Sequence, residues 1–204
     1  DRWDSIFRAR VPALGYRVYW LFMEKSSPVS SPLSASQDRL ENEQLLAQFN
    51  PKTGALFRLI HKKTGCSVLS GASSTKLIDI EHCDTWAHGV FCFDQEAGKF
   101  ECTEVKLEEA GPVRAVLRVT SRHNQSILCQ RYILYADADQ LEVETTLDLH
   151  EKHKLVKQCY PTDFRQNFAE IPYGVIERAP NGDEEAHQRW TAVQGVSGGL
   201  AVLN

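Results

Sequence analysis

The sequence has no CxxC pair, no apolar run approaching the ~20 residues that cross a bilayer, and no cluster of basic residues. Each absence removes a class of function. Without paired spacing, Cys66, Cys83, Cys92, Cys102, Cys129 and Cys159 suggest neither a zinc knuckle nor a redox motif, and 204 residues can build a core without disulfides. They read as reduced thiols in a cytoplasmic protein, and the sequon Asn124-Gln125-Ser126 is too common a pattern to reverse that. The charged start DRWDSIFRAR lacks the apolar core of a signal peptide, so a soluble chain with no membrane partner is expected. The 23 Lys and Arg are scattered among 27 Asp and Glu, for a formal net charge of -4, which excludes the basic footprint of a nucleic-acid binder. GxSxG, P-loop and dinucleotide fingerprints are missing, and so is any repeat period.

What is present is a period of two. In LEVETTLDL, Leu141, Val143, Thr145, Leu147 and Leu149 alternate with Glu142, Glu144, Thr146 and Asp148, the pattern of a strand with one wet face. PVRAVLRVT alternates in the same way, and SILCQRYILYA follows it after RHNQ. With the short link ADADQ, the three make an antiparallel meander. Two KTG turns, ending in Gly54 and Gly65, flank ALFRLI and suggest a further hairpin, each glycine being free to take a positive φ. GYRVYWLFM, residues 15–23, reads as an aromatic strand. It is held apart by a Ser- and Pro-rich linker, within residues 24–37. DRLENEQLLAQF alone favours helix on propensity. The class is all-β, expected as an antiparallel sandwich.

Three stretches could carry chemistry. HEKHKLVK, residues 150–157, resembles the zincin pattern HExxH but is one residue short. Histidines three apart on a strand point to opposite faces, so a polar strand end or turn is expected and no metal. DTWAHG, residues 84–89, sets Asp84, Trp86 and His88 in a loop whose aromatic face could stack on a sugar ring, against the plainer role of a tryptophan anchoring a loop. EIPYGVIERAPNGDEEAHQRW, residues 170–190, groups Tyr173, Glu177, Arg178, Asp183, Glu184, Glu185, Arg189 and Trp190. It suits a hydroxyl-rich ligand or a neighbouring domain as well as a solvated acidic loop. No spacing fixes a pair of catalytic carboxylates.

The stretches VPALGYRVYWL, LENEQLLAQFNPKTGALFRLIHKKTG, EEAGPVRAVLRV, LDLHEKHKLVK, EIPYGVIER and GGLAVLN together resemble the C-terminal half of glycoside hydrolase family 38, the α-mannosidases. The resemblance implies a strand rather than a helix at LENEQLLAQF. It implies that residues 1–23 end a small β domain and that residues 38–204 form a galactose mutarotase-like supersandwich, truncated at its C-terminal end. Family members are retaining enzymes whose nucleophile and zinc ligands belong to an N-terminal barrel. By that resemblance this chain is a non-catalytic part, with the barrel and helical domain of the same protein and a mannose-containing glycan as partners. It further implies Arg178 as a substrate-binding residue, with Tyr173 and Glu177 beside it and Asp84 and Trp86 at the rim. An edge left unpaired by truncation would favour self-association. The competing expectation is an autonomous carbohydrate-binding or mutarotase-like module.

Overall fold

The protein is described by a computed structural model covering residues 5–22 and 30–204. Sixteen strands and no helix occur among these residues, and every strand pair is antiparallel. The all-β class therefore stands.

The first sheet is a run of short hairpins: β1 (Ser34–Ser36), β2 (Arg39–Glu41), β3 (Leu45–Phe49), β4 (Leu56–His61) and β5 (Cys66–Ser67). The segment with helical propensity becomes β2 and β3 because Leu45, Ala47 and Phe49 are buried on alternate positions and Asn42 makes the turn between the strands. The Asn42 side-chain oxygen accepts from the Gln44 and Leu45 amides at 2.8 and 2.7 Å, an Asx turn that competes with helix. Both KTG glycines take positive φ, 67° at Gly54 and 68° at Gly65, as the turns require.

β6 (Ser74–Asp79) and β7 (Glu96–Lys99) begin a second sheet. The chain then builds the long meander β8 (Glu101–Ala110), β9 (Arg114–His123), β10 (Ser126–Tyr135) and β11 (Glu142–Asp148) before β12 (Lys154–Cys159) returns to pair with β6. A fourth sheet holds β13 (Gln166–Ile171), β14 (Gly174–Arg178), β15 (Trp190–Gly195) and β16 (Gly198–Leu203) in the order β14-β13-β15-β16. HEKHKLVK spans the passage from the meander to the second sheet, so its polar character marks a strand end, as expected.

The single antiparallel sandwich, and with it the supersandwich, is not what forms. Hydrogen bonding breaks the strands into four separate sheets of five, three, four and four, set like blades in a ring rather than as two facing layers. One face of the meander serves two neighbours. Leu117, Val119, Tyr132 and Leu134 pack with Leu40, Ala47, Phe49 and Leu56 of the first sheet, whereas Leu128 packs with Leu77 and Phe100 beside the second. Phe49 and Tyr132 meet edge to face at 4.7 Å. A polar chain runs between these clusters: Thr75 Oγ1 and Gln130 Nε2 both donate to Gln158 Oε1, at 2.5 and 3.1 Å. Burial pushes the Tyr132 phenol well above its ordinary range.

Of GYRVYWLFM, residues 15–22 form no strand, and Met23 lies outside the described residues. Tyr16, Trp20 and Phe22 are exposed, and the segment folds on itself where Phe7 and Tyr19 meet at 5.1 Å. Residues 24–29 of the linker region are likewise outside the described residues, while Ser34–Ser36 within its expected range pairs as β1.

Candidate functional site

The loop between β6 and β7 and the loop between β14 and β15 are far apart in sequence, and the fold brings them together at Glu184. Its backbone amide donates to the Phe91 carbonyl at 2.8 Å, and its Oε1 accepts from the Phe93 amide at 3.1 Å. The Cys92 thiol approaches the same oxygen at 3.5 Å, and the Lys157 ammonium donates to it at 2.5 Å while also donating to the Phe93 carbonyl. Burial pushes the Glu184 carboxyl up, but the Lys157 ammonium and the Phe93 N–H outweigh it and leave the group below its ordinary value. Burial, then the neighbouring carboxylate, pushes the Cys92 thiol up.

Within the first loop, Asp84 is committed to its own turn. Its Oδ1 accepts from the amides of Trp86 and His88 at 2.9 and 3.1 Å, and its Oδ2 lies 2.7 Å from His88 Nδ1. These bonds, led by those to His88, hold its carboxyl below the usual carboxylate range. Ala87 has a positive φ of 51°, which closes the turn and leaves the Trp86 side chain 80% exposed. Trp86 is therefore no core anchor.

Arg178 closes β14 with a side chain only 14% exposed. It pairs with Glu185 and donates to the Ala186 carbonyl at 3.1 Å, while its Nε is buried without a partner. It thus fixes the root of the second loop. Tyr173 is fully exposed at the tip of the β13–β14 hairpin, where Pro172 and Tyr173 form a two-residue turn with Tyr173 at φ 66°. It immediately precedes the strand that Arg178 ends, roughly 16 Å away by strand rise, and Glu177 points to the face opposite Arg178. The structure therefore joins Arg178 and the Trp86 loop through Glu184, but it does not gather Tyr173 and Glu177 with them. Arg189 pairs with Glu170 instead, and that bond draws the Glu170 carboxyl down.

In HEKHKLVK, His150 Nε2 lies 3.1 Å from Asp148, and Glu151 accepts from Asn124 and Ser126. His153 takes a positive φ of 53° where the chain turns into β12. The residue of this stretch that reaches the site is its last, Lys157, which no local motif marks. Among the described residues, no three of His, Cys, Asp and Glu come close enough to share a metal ion. Two surface recesses, along the β15–β16 hairpin and beside Tyr160, contain none of the candidate residues.

Residues 40–204 match the family described as "Glycosyl hydrolases family 38 C-terminal domain". The chain belongs to this family. No curated protein matches it. A family 38 C-terminal domain implies further domains in a parent glycoside hydrolase, and polar, charged and exposed aromatic side chains meet in the joined loops of this one.

Proposed function

We propose that the chain is the non-catalytic C-terminal part of a retaining, zinc-dependent α-mannosidase, supporting the catalytic barrel and lining the rim of its sugar site. The match over residues 40–204 carries this reading. In it the joined loops are the rim, with the exposed Trp86 indole as a stacking face for a sugar ring of a mannose-containing glycan. The Arg178 Nε–H is buried, so the donors offered to sugar hydroxyls in this reading are the N–H groups left on the two nitrogens that Glu185 and Ala186 engage. The residues do not fit zinc, since among the described residues no three of His, Cys, Asp and Glu form a ligand set. Zinc belongs in this proposal to the parent's catalytic domain. Six unpaired thiols are in keeping with a cytoplasmic setting.

The test is incubation of the chain with an aryl α-mannoside and zinc. No hydrolysis above blank is expected, and hydrolysis that is lost on mutation within this chain would overturn the proposal. The exposed Trp86 also favours a second reading, an autonomous sugar-binding module. That reading predicts that the chain alone binds mannose oligosaccharides, followed by tryptophan emission, as tightly as the parent protein does, whereas a rim predicts weaker binding by the chain alone.

Self-association is proposed through β16, which bonds to β15 on one side only among the described residues and exposes Val202 and Leu203. Light scattering should show mass rising with concentration. A clean monomer at high concentration would count against it.

A further inference from the structure

The 84–94 loop has no strand of its own and no strand partner. Its internal bonds are local: Asp84 caps Trp86 and His88, the Ala87 amide donates to the Asp84 carbonyl, and the Val90 amide donates to the Ala87 carbonyl. Among the described residues, every hydrogen bond from residues 84–94 to the chain beyond 79–96 goes to Glu184 or Lys157. The two anchors differ in kind. Lys157 stands on β12, which is paired to β6 along its full length, so its ammonium projects from a fixed strand. Glu184 sits in a loop rooted by Arg178 through Glu185 and Ala186. An ion pair that also satisfies a backbone N–H and a backbone carbonyl holds a loop more firmly than a surface pair, because loosening it leaves several partly buried polar groups unpaired at once.

We infer that Glu184 and Lys157 are positioning residues that fix the 84–94 loop, and with it Trp86, against the Arg178 loop so that the two act as one sugar-contacting surface. The inference rests on the rim reading above. It assigns a role to Lys157 and Glu184 that neither has by touching sugar: they set where Trp86 stands relative to Arg178. A ligand spanning both loops would then bind a preformed surface and avoid the entropy cost of ordering the loop itself.

The experiment is hydrogen exchange on the intact chain, as wild type, Glu184→Ala, Glu184→Gln and Lys157→Met, combined with titration of a linear α-linked mannotriose followed by tryptophan emission. Amides of residues 86–93 are expected to exchange at least about tenfold faster in Glu184→Ala and in Lys157→Met, with β9 and β10 unchanged. Glu184→Gln should recover part of the protection, because its amide oxygen still accepts from Phe93. The wild type should show saturable binding, weakened in the two loosened variants. Unchanged exchange at 86–93 overturns the clasp itself. Faster exchange with undiminished mannotriose affinity overturns the positioning role. Faster exchange with no saturable response even in the wild type removes the rim reading beneath the inference and leaves Glu184–Lys157 as a stabilising contact alone.

Discussion

The side-chain amide of Asn42, in the turn between β2 and β3, donates to the carbonyl of Tyr135, 93 residues later, at 2.7 Å and to that of Ala138 at 2.8 Å. With its oxygen accepting from Gln44 and Leu45, the 1% exposed side chain ties the first sheet to the end of the meander. Asn42→Ala removes all four bonds and leaves polar groups unpaired in a partly buried place. The expected loss is about 3 kcal/mol in urea unfolding. Asn42→Asp should lose at least as much, since it turns an oxygen toward two carbonyls.

The two KTG turns look alike in sequence and should respond differently to the same substitution. At both glycines, alanine meets a positive φ that costs about 1 kcal/mol. A Cβ on Gly65 meets open space, but one on Gly54 would sit 2.3 Å from Val119 Cγ1 in the core. Gly65→Ala should therefore cost about 1 kcal/mol and Gly54→Ala about 3 kcal/mol. Equal losses in thermal unfolding would show that the Val119 contact relaxes freely.

Strands were legible where one face is wet and the other dry, as in β9 and β10, because alternation is a local consequence of burial. β11 was equally legible by pattern, yet Leu147 and Leu149 prove exposed: it is an edge strand that runs past the core it was expected to cover. Propensity misreads DRLENEQLLAQF because Asn42 trades the helix for bonds to residues far along the chain. The partition into four sheets was not legible, since alternation tells which face is buried but not where the ladder breaks. In the site, the two candidate loops were visible as separate motifs. Lys157 was not, because an ion pair between a strand and a loop 27 residues further along the chain leaves no local mark.

Acid should weaken the fold through its ion-paired carboxyls. Asp79, Asp84, Glu108, Glu170 and Glu184 are all held below their ordinary values, by neighbouring Lys and Arg or by N–H donors. A depressed carboxyl contributes stability above its unfolded pKa, 3.8 for Asp and 4.5 for Glu, and loses it as pH falls through the folded value. The urea midpoint should therefore be level from about pH 7 to 5 and fall below about pH 4.5. In Glu184→Gln that fall should be shallower. A midpoint that rises on acidification, or an unchanged slope in the variant, would contradict the assignment.

Tyr173 offers a way to separate stability from binding. Its φ of 66° is a conformation that glycine adopts freely and tyrosine only at a cost of about 1–2 kcal/mol, yet its ring is fully exposed and returns no packing in this chain. Tyr173→Gly relieves that strain and gives back part of the gain to the freer unfolded chain, for a net stabilisation of about 0.5 kcal/mol. A strained, exposed aromatic is a candidate for contact with something outside this chain. If Tyr173 contacts sugar or the neighbouring domain, the variant should melt higher while its affinity for mannotriose or for the rest of the parent protein falls. Higher melting with both affinities intact would assign Tyr173 to the turn alone and remove it from the candidate surface.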